Sequence, residues 1–332
     1  MSVVSKIGVD RIGGIRGGDV RDPVLRAGYR RCADLTRAFG TTYYWGALLL
    51  PRARRRHVYA VYALCRLADD IVDDPATLAQ SSAAEIRDRL AAFAESFRAA
   101  LAAGGADDPV MAAVIDTVRL AEIDPECFDR FFAAMAMDLT TTSYETWDDL
   151  CGYMEGSAAV IGEMMLPVLQ PLDSAAREPA RSLGLAFQLT NFLRDVDEDL
   201  DRGRVYLPAE DVRGFGVDLA ERKVTPEWKA LMAFQIERNR GLYATADTGI
   251  PMLPPRSARC VGAARVLYAQ ILDRIEAADY DVFRERIRVP TWRKAATAGR
   301  IMVVGPAAAA DRPACLARSW EGNARHVTSD PR

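Results

Sequence analysis

Oxygen-bearing side chains recur one helical turn apart in two segments of this 332-residue chain. In the first segment, residues 59–74, Tyr62, Arg66, Asp69 and Asp73 follow one another at spacings of four, three and four. Residues at such spacings share one face of an α-helix. The segment therefore predicts a helix that presents two carboxylates and a guanidinium on the same side.

The second segment, residues 183–208, repeats this arrangement with amide and carboxylate oxygens, and Arg194 lies beside them. Its stripe consists of Gln188, Asn191, Asp195 and Asp199. Leu, Ala, Ile, Val and Phe surround the acids in both segments, so we expect both acidic faces to be partly buried.

Paired acids in apolar surroundings need a compensating charge. Two carboxylates about 6 Å apart repel by about 3 kcal/mol at an effective dielectric near 20, and burial raises their pKa unless cations are present. Oxygen ligands without His or Cys suit Mg²⁺ or Mn²⁺. Two facing stripes would hold such ions against a diphosphate, with arginines binding its remaining oxygens. A single acidic segment is more typical of a solvated helix face; the repetition favours a metal site.

Aromatic and small residues allow two interpretations each. Tyr43, Tyr44 and Trp45 can stabilise a carbocation through their ring faces or can simply pack in the core. The small residues of 156–162 permit either close helix packing or a tunnel. The basic run 52–56 is either a helix start or a contact with acidic lipid.

Composition excludes several classes of protein. The net charge of −3 gives no overall basic excess, so we expect no nucleic-acid partner. The two histidines are far apart, and no two of the six cysteines are closer than Cys127 and Cys151, which argues against histidine-rich or CxxC metal sites. No apolar stretch approaches the length of a membrane span. We expect a cytoplasmic protein that contacts a membrane peripherally at most.

Helical signals dominate the chain, and prolines stand near the proposed helix boundaries. The predicted helices cover 23–37, 53–74, 82–103, 109–121, 125–138, 146–166, 174–200, 226–246, 256–284 and 291–299. This pattern predicts an all-α fold. We expect a flexible leader over 1–20, one helical domain over 21–299 and a poorly ordered tail over 300–332.

Three blocks of sequence resemble the squalene/phytoene synthase family. The first joins TYYWGALLLP (42–51) to YALCRLADDIVDD (62–74), which resembles the family's first aspartate-rich region. The second, residues 153–168, fits its Y-x-x-x-[SVG]-A-[GSA]-x-[IV]-G pattern. The third, residues 183–208, fits L-G-x-x-x-Q-x-x-N-x-x-R-D-x-x-x-D…R-x-Y-x-P. The resemblance covers about 25–299 and is greatest to the bacterial phytoene-forming members.

The resemblance implies an isoprenoid synthase fold, an all-α domain around a central cavity that the two acidic helices close at one end. It implies a transferase of carotenoid biosynthesis, which condenses two geranylgeranyl diphosphates head to head through prephytoene diphosphate. The family requires Mg²⁺ or Mn²⁺, and this reaction uses no NADPH.

The resemblance also assigns roles to residues. The metal ligands would be Asp69, Asp73, Asn191, Asp195 and Asp199. Arg66 and Arg194 match diphosphate-binding arginines, and Tyr153 matches a tyrosine of the reaction site. The remaining substrate-binding candidates are Tyr43, Tyr62, Gln188, Tyr268 and Arg286. Many members have histidine where Phe39 stands, which weakens a diphosphate contact there.

Two alternatives remain open at this stage. One keeps the fold but uses farnesyl diphosphate, as a squalene or dehydrosqualene synthase would. The other is a non-catalytic helical scaffold, in which replacing Asp69 or Asp195 would leave function intact.

Overall fold

The computed structural model describes residues 20–73 and 81–304, and these residues confirm the all-α prediction. Within these ranges there is no β-strand, and an isolated bridge pairs Ser143 with Val205. The predicted leader over 1–20 and tail over 300–332 lie almost entirely outside the described residues. The last helix continues to Val304, past the predicted domain end at 299.

Fourteen α-helices and one π-helical turn build the described domain. They are α1 Pro23–Phe39, α2 Thr41–Ala47, α3 Arg52–Asp73, α4 Ala83–Ala103, α5 Pro109–Ala121, α6 Pro125–Met137, α7 Trp147–Met154, the π-turn Glu155–Ala159, α8 Val160–Leu169, α9 Arg177–Arg194, α10 Val196–Asp201, α11 Ala209–Gly214, α12 Pro226–Asp247, α13 Pro255–Ala277 and α14 Thr291–Val304. Short 3₁₀ turns cover Ser174–Ala176, Leu219–Glu221 and Ile250–Met252.

Polar caps followed by proline begin several helices. Asp22, Asp108, Asp124 and Thr225 each accept hydrogen bonds from backbone N–H groups of the first turn, and a proline follows each of them. The side chain satisfies donors that have no partner within the helix, and proline there loses no helical hydrogen bond. The prolines predicted to mark boundaries at 109 and 125 do so for this reason.

All ten predicted helices correspond to observed helices, but two of them are interrupted and a third ends earlier than predicted. The predicted helix 146–166 is interrupted by the π-turn, and 174–200 is divided at Asp195, whose φ of −104° and ψ of 17° leave the helical region. The predicted helix 256–284 ends at Ala277, because Asp279 and Tyr280 adopt positive φ. Helices α2 and α11 were not predicted; each is short and carries little periodic signal.

Two buried apolar clusters form the core, and a cavity lies between them. One cluster draws mainly on α1, α3, α4, α5, α6 and α8. The other draws mainly on α7, α9, α12 and α13. Side chains from both line the cavity, among them Val58, Met165, Phe187, Leu253 and Ala264.

The small residues of 156–162 serve both purposes that the sequence left open. A Cβ on Gly162 would lie 2.1 Å from the Ala180 carbonyl oxygen, and one on Gly184 would lie 2.2 Å from the Ala158 carbonyl oxygen. The backbones of α8, the π-turn and α9 therefore approach as closely as glycine allows. Gly162, Ala158 and Gly184 also line the cavity.

The basic run 52–56 begins α3 and binds its neighbours. Arg54 donates to Ser257 Oγ (3.0 Å) and to Gln170, and Arg55 donates to the carbonyl oxygens of Leu48 and Leu50. These contacts favour the helix-start interpretation of the run.

Candidate functional site

The two acidic segments meet in the folded chain. Arg204, which follows α10, donates from Nη1 to Oδ1 of Asp73 on α3 at 2.7 Å. Its Nη2 reaches the backbone oxygen of Asp138 at 3.5 Å. Only 11% of the Arg204 side chain is exposed. This ion pair brings the segment that carries the second stripe against the end of the first, and the charges of Asp73 and Arg204 both act on Asp199 of the second stripe.

Arginines neutralise several of the carboxylates. Arg66 pairs with Asp70 one turn further along α3. Arg194 Nε donates to Oδ1 of Asp195 at 2.7 Å, and Arg286 Nη2 donates to Oδ2 of the same carboxylate at 2.8 Å. These contacts place the predicted diphosphate-binding arginines beside the predicted metal ligands.

Burial raises the pKa of two of the carboxylic acids in the site. Burial and the neighbouring Asp73 carboxylate raise the pKa of Asp69 to about 7, against the opposing effect of Arg66. Burial and Asp195 raise the pKa of Asp199 to about 7. Carboxylates in this state gain most from a nearby cation.

Asp138 is a site residue that the sequence analysis missed. Burial raises its pKa to about 6, although the Tyr153 hydroxyl donates to its Oδ2 at 2.9 Å and favours the charged form. Its second oxygen, Oδ1, is buried and has no partner within hydrogen-bond distance among residues 20–73 and 81–304. The acid stands alone after α6, so helical spacing gives no signal for it.

Tyr153 belongs to a stack of aromatic rings beside the acids. Its ring centroid lies 5.3 Å from that of Tyr144 and 5.9 Å from that of Tyr206. Tyr206 in turn stacks on Phe192 at 3.9 Å with nearly parallel planes. Tyr206 and Arg204 were part of the R-x-Y-x-P pattern, so the sequence carried a signal for both.

A second aromatic group, Tyr43, Tyr62, Phe187 and Tyr268, lies between the acids and the cavity. Tyr43 is 5.7 Å from both Tyr62 and Tyr268 by ring centroids, and Phe187 stacks on Tyr268 at 4.2 Å. Tyr62 lies one turn before Arg66 on α3. Tyr43, Phe187 and Gln188 line the cavity. The structure thus brings the predicted cavity residues together, and Phe187 joins them.

Phe39 contacts Arg66, a predicted diphosphate-binding residue, in a way that the sequence did not suggest. It ends α1, is 56% exposed, and its ring lies 4.4 Å from the guanidinium carbon of Arg66. This is cation–π geometry. The Phe39 ring therefore packs against the Arg66 guanidinium.

The donor set fits a hard divalent cation. Its members are carboxylate and amide oxygens, and the orphaned Oδ1 of Asp138 lies among them. Across residues 20–73 and 81–304, no three acidic, histidine or cysteine side chains form a ready-made metal cage. Arginines hold Asp70, Asp73 and Asp195 instead. Within these same ranges, no helix is long and apolar enough to cross a membrane.

Comparison with known proteins gives a consistent result. The squalene/phytoene synthase family matches residues 36–293. A phytoene synthase of Arthrospira platensis is 38% identical over 292 residues, which cover 83% of this chain and 93% of the relative. A 15-cis-phytoene synthase of Synechococcus elongatus is 37% identical over 285 residues, covering 81% and 91%.

Solved structures share the fold. A dehydrosqualene synthase in complex with ligand superposes with a TM-score of 0.75 at 26% identity, covering 84% of this chain and 96% of that one. A squalene synthase of Alicyclobacillus acidocaldarius gives a TM-score of 0.70 at 30% identity, covering 77% and 96%. The fold is therefore that of the isoprenoid synthases.

Proposed function

The chain belongs to the squalene/phytoene synthase family, and we propose that it is a phytoene synthase that joins two molecules of geranylgeranyl diphosphate. One observation carries the proposal: Arg204 and Asp73 join two acidic segments beside an apolar, aromatic-lined cavity. Such a site can hold a diphosphate at its polar end and a prenyl chain in its hydrocarbon interior.

The polar end would hold the metal and the diphosphate. Asp69, Asp73, Asn191, Asp195 and Asp199 would bind Mg²⁺ or Mn²⁺, which when bound supplies positive charge that stabilises the departing diphosphate. Arg66 and Arg194 would donate to the remaining diphosphate oxygens. Both arginines already lie among the acids, paired with Asp70 and Asp195. We propose that they exchange these partners for substrate.

Ionisation of the first substrate breaks its C1–O bond, and the diphosphate leaves with the electron pair. The aromatic group around Tyr43 faces the developing allylic cation with electron-rich ring surfaces. The double bond of the second substrate attacks the cation, and loss of a proton closes the cyclopropane of prephytoene diphosphate. The shared cavity holds the two chains within reach of each other.

The second half of the reaction breaks the remaining C–O bond. Rearrangement then forms the 1′–1 bond, and a last proton loss gives phytoene. Released diphosphate can accept these protons, so the reaction requires no base from the protein. The cavity excludes water that would quench each cation. Tyr153, whose hydroxyl donates to Asp138, stands in the aromatic stack beside the acids.

The test is product analysis with purified full-length protein, Mg²⁺ and geranylgeranyl diphosphate. We expect a C40 triene and two diphosphates per product, without NADPH. Asp69→Ala and Asp195→Ala should abolish the product, and Asp88→Ala on the exposed face of α4 is the matched control. No product from the wild-type protein would support the scaffold alternative, and product retained in the first two variants would show that Asp69 and Asp195 are not the metal ligands.

A second candidate is a squalene-type synthase that uses farnesyl diphosphate, because the two solved structures named above are a dehydrosqualene synthase and a squalene synthase by name. Competition between C15 and C20 substrates separates the two. A C30 product formed in preference to C40 would replace the phytoene assignment.

We also propose a cytoplasmic enzyme, with 21–299 as its catalytic domain, that touches a membrane peripherally to release its hydrocarbon product. Flotation with phospholipid vesicles tests this contact, and protein that stays at the bottom of the gradient would refute it.

A further inference from the structure

A basic groove lies next to the candidate site, at the end of α13. Its volume is about 580 Å³, and Arg274, Arg284, Arg286 and Arg288 line it together with Asp281 and Glu285. Four guanidiniums against two carboxylates give this lining a net charge of +2. The groove is therefore an electropositive surface in a protein whose overall charge is −3.

Two of its arginines lack partners in the part of the chain that the structure describes. Arg284 pairs with Asp281 at 3.1 Å, and Arg286 pairs with Asp195 and Glu198. Within the described residues, the side chains of Arg274 and Arg288 form neither a hydrogen bond nor an ion pair. Nε of Arg274 is buried as well. A buried guanidinium donor without a partner costs free energy that an anion would recover.

Arg286 connects the groove to the candidate site. Its Nη2 lies 2.8 Å from Oδ2 of Asp195, and its Nη1 lies 3.1 Å from Oε2 of Glu198. The same side chain lines the groove. An anion leaving the Asp195 end of the site would therefore pass from one guanidinium to the next.

We propose that this groove binds inorganic diphosphate released by the reaction. The inference rests on the proposed function, in which formation of each phytoene molecule releases two diphosphates. The first diphosphate must leave the arginines of the site before the second can bind them. Guanidinium pairs bind phosphate oxygens through charge-assisted, often bidentate hydrogen bonds. Arg274 and Arg288 are the residues that would receive the anion.

The test compares the double variant Arg274→Gln/Arg288→Gln with Arg87→Gln/Arg89→Gln. Both change the charge by the same amount, and the control arginines are exposed on α4, which packs against α3, α5 and α6. Inhibition by inorganic pyrophosphate with Mg²⁺ is measured in the full chain. We expect the inhibition constant to rise about tenfold in the groove variant, with kcat/KM for geranylgeranyl diphosphate within about twofold of wild type.

Three results would overturn the groove. The first is an inhibition constant equal to that of the α4 control. The second is a parallel fall in kcat/KM, which would place these arginines in the catalytic site. The third is loss of binding to phosphatidylglycerol vesicles with inhibition unchanged, which would assign the groove to lipid headgroups. The single variant Arg288→Gln, at an exposed position, gives the same test without risk to folding; we expect about a threefold rise.

Calorimetry separates this inference from the proposed function. Pyrophosphate binding, measured without prenyl substrate, can weaken in the groove variant whether or not the chain makes phytoene. Normal phytoene synthesis together with unaltered pyrophosphate binding in the groove variant would refute diphosphate binding in the groove and leave the proposed function standing.

Discussion

Arg204 lies 2.7 Å from Asp73 although 131 residues separate them in sequence. This ion pair joins the segment after α10 to the end of α3, and it places a positive charge near Asp73 of the first stripe and Asp199 of the second. Removal of either partner should therefore affect the catalytic arrangement more than the fold.

Asp73→Asn tests the acidic side of this pair. We expect turnover to fall about 100-fold, because the amide cannot supply the negative charge that binds a divalent cation. The melting temperature of the metal-free protein should change little, since the amide oxygen still accepts from Arg204 and the repulsion by Asp69 disappears. Asp88→Asn is the charge-matched surface control, and a large loss of thermal stability in Asp73→Asn would contradict this account.

Glu163 should make stability depend on pH in acid. It is 8% exposed, and although burial opposes ionisation, hydrogen bonds from Arg130, Arg177 and Arg181 lower its pKa to about 2. A lowered carboxyl pKa stabilises the fold above the unfolded value near 4.5, and this stabilisation is lost as the pH falls from there through about 2.

Glu163→Gln should therefore unfold more easily than wild type at pH 7, by about 3 kcal/mol. Urea denaturation at pH 7, 4 and 2.5 measures the difference. The gap between the two proteins should narrow as the pH falls; a gap independent of pH would show that the charge is not responsible.

Phe39 should strengthen substrate binding through Arg66. Cation–π contacts at exposed positions contribute about 0.5–1 kcal/mol, so Phe39→Ala should raise KM about two- to fivefold and leave kcat close to wild type. Phe39→Tyr keeps the ring and should keep the KM. Leu172→Ala removes another exposed apolar side chain and serves as the control. An equal rise in KM in Leu172→Ala would show that the Phe39–Arg66 contact does not strengthen substrate binding.

Gly184 should be intolerant of any side chain. A Cβ there would lie 2.2 Å from the Ala158 carbonyl oxygen, whereas nothing lies within 4 Å of a Cβ on Gly152. We expect Gly184→Ala to destabilise the protein by about 1–3 kcal/mol and to lower turnover, because the π-turn and α9 would separate. Gly152→Ala should be neutral or stabilising. Thermal melts of both variants decide the matter, and equal melting temperatures would argue against close packing here.

Helical spacing in the sequence determined the all-α class and both acidic stripes. A repeat of three and four residues sets which side chains share a helix face, whatever the helix packs against. The proline-marked starts at 109 and 125 also match to the residue, because proline at the first helical position is a local signal. The resemblance to the family added the residue roles, among them those of Tyr268 and Arg286, which helical spacing did not indicate.

Only the tertiary structure decided which isolated residues joined the site. Asp138 and Phe187 have no periodic partners, and they enter the site because α6 and α9 pack beside α3 and α13. Arg204 and Asp73 are likewise adjacent only in space. Breaks such as that at Asp195 depend on how neighbouring helices pack, which local propensity does not encode. Contacts between distant segments arise from the packing of whole helices, so no local pattern in the chain could specify them.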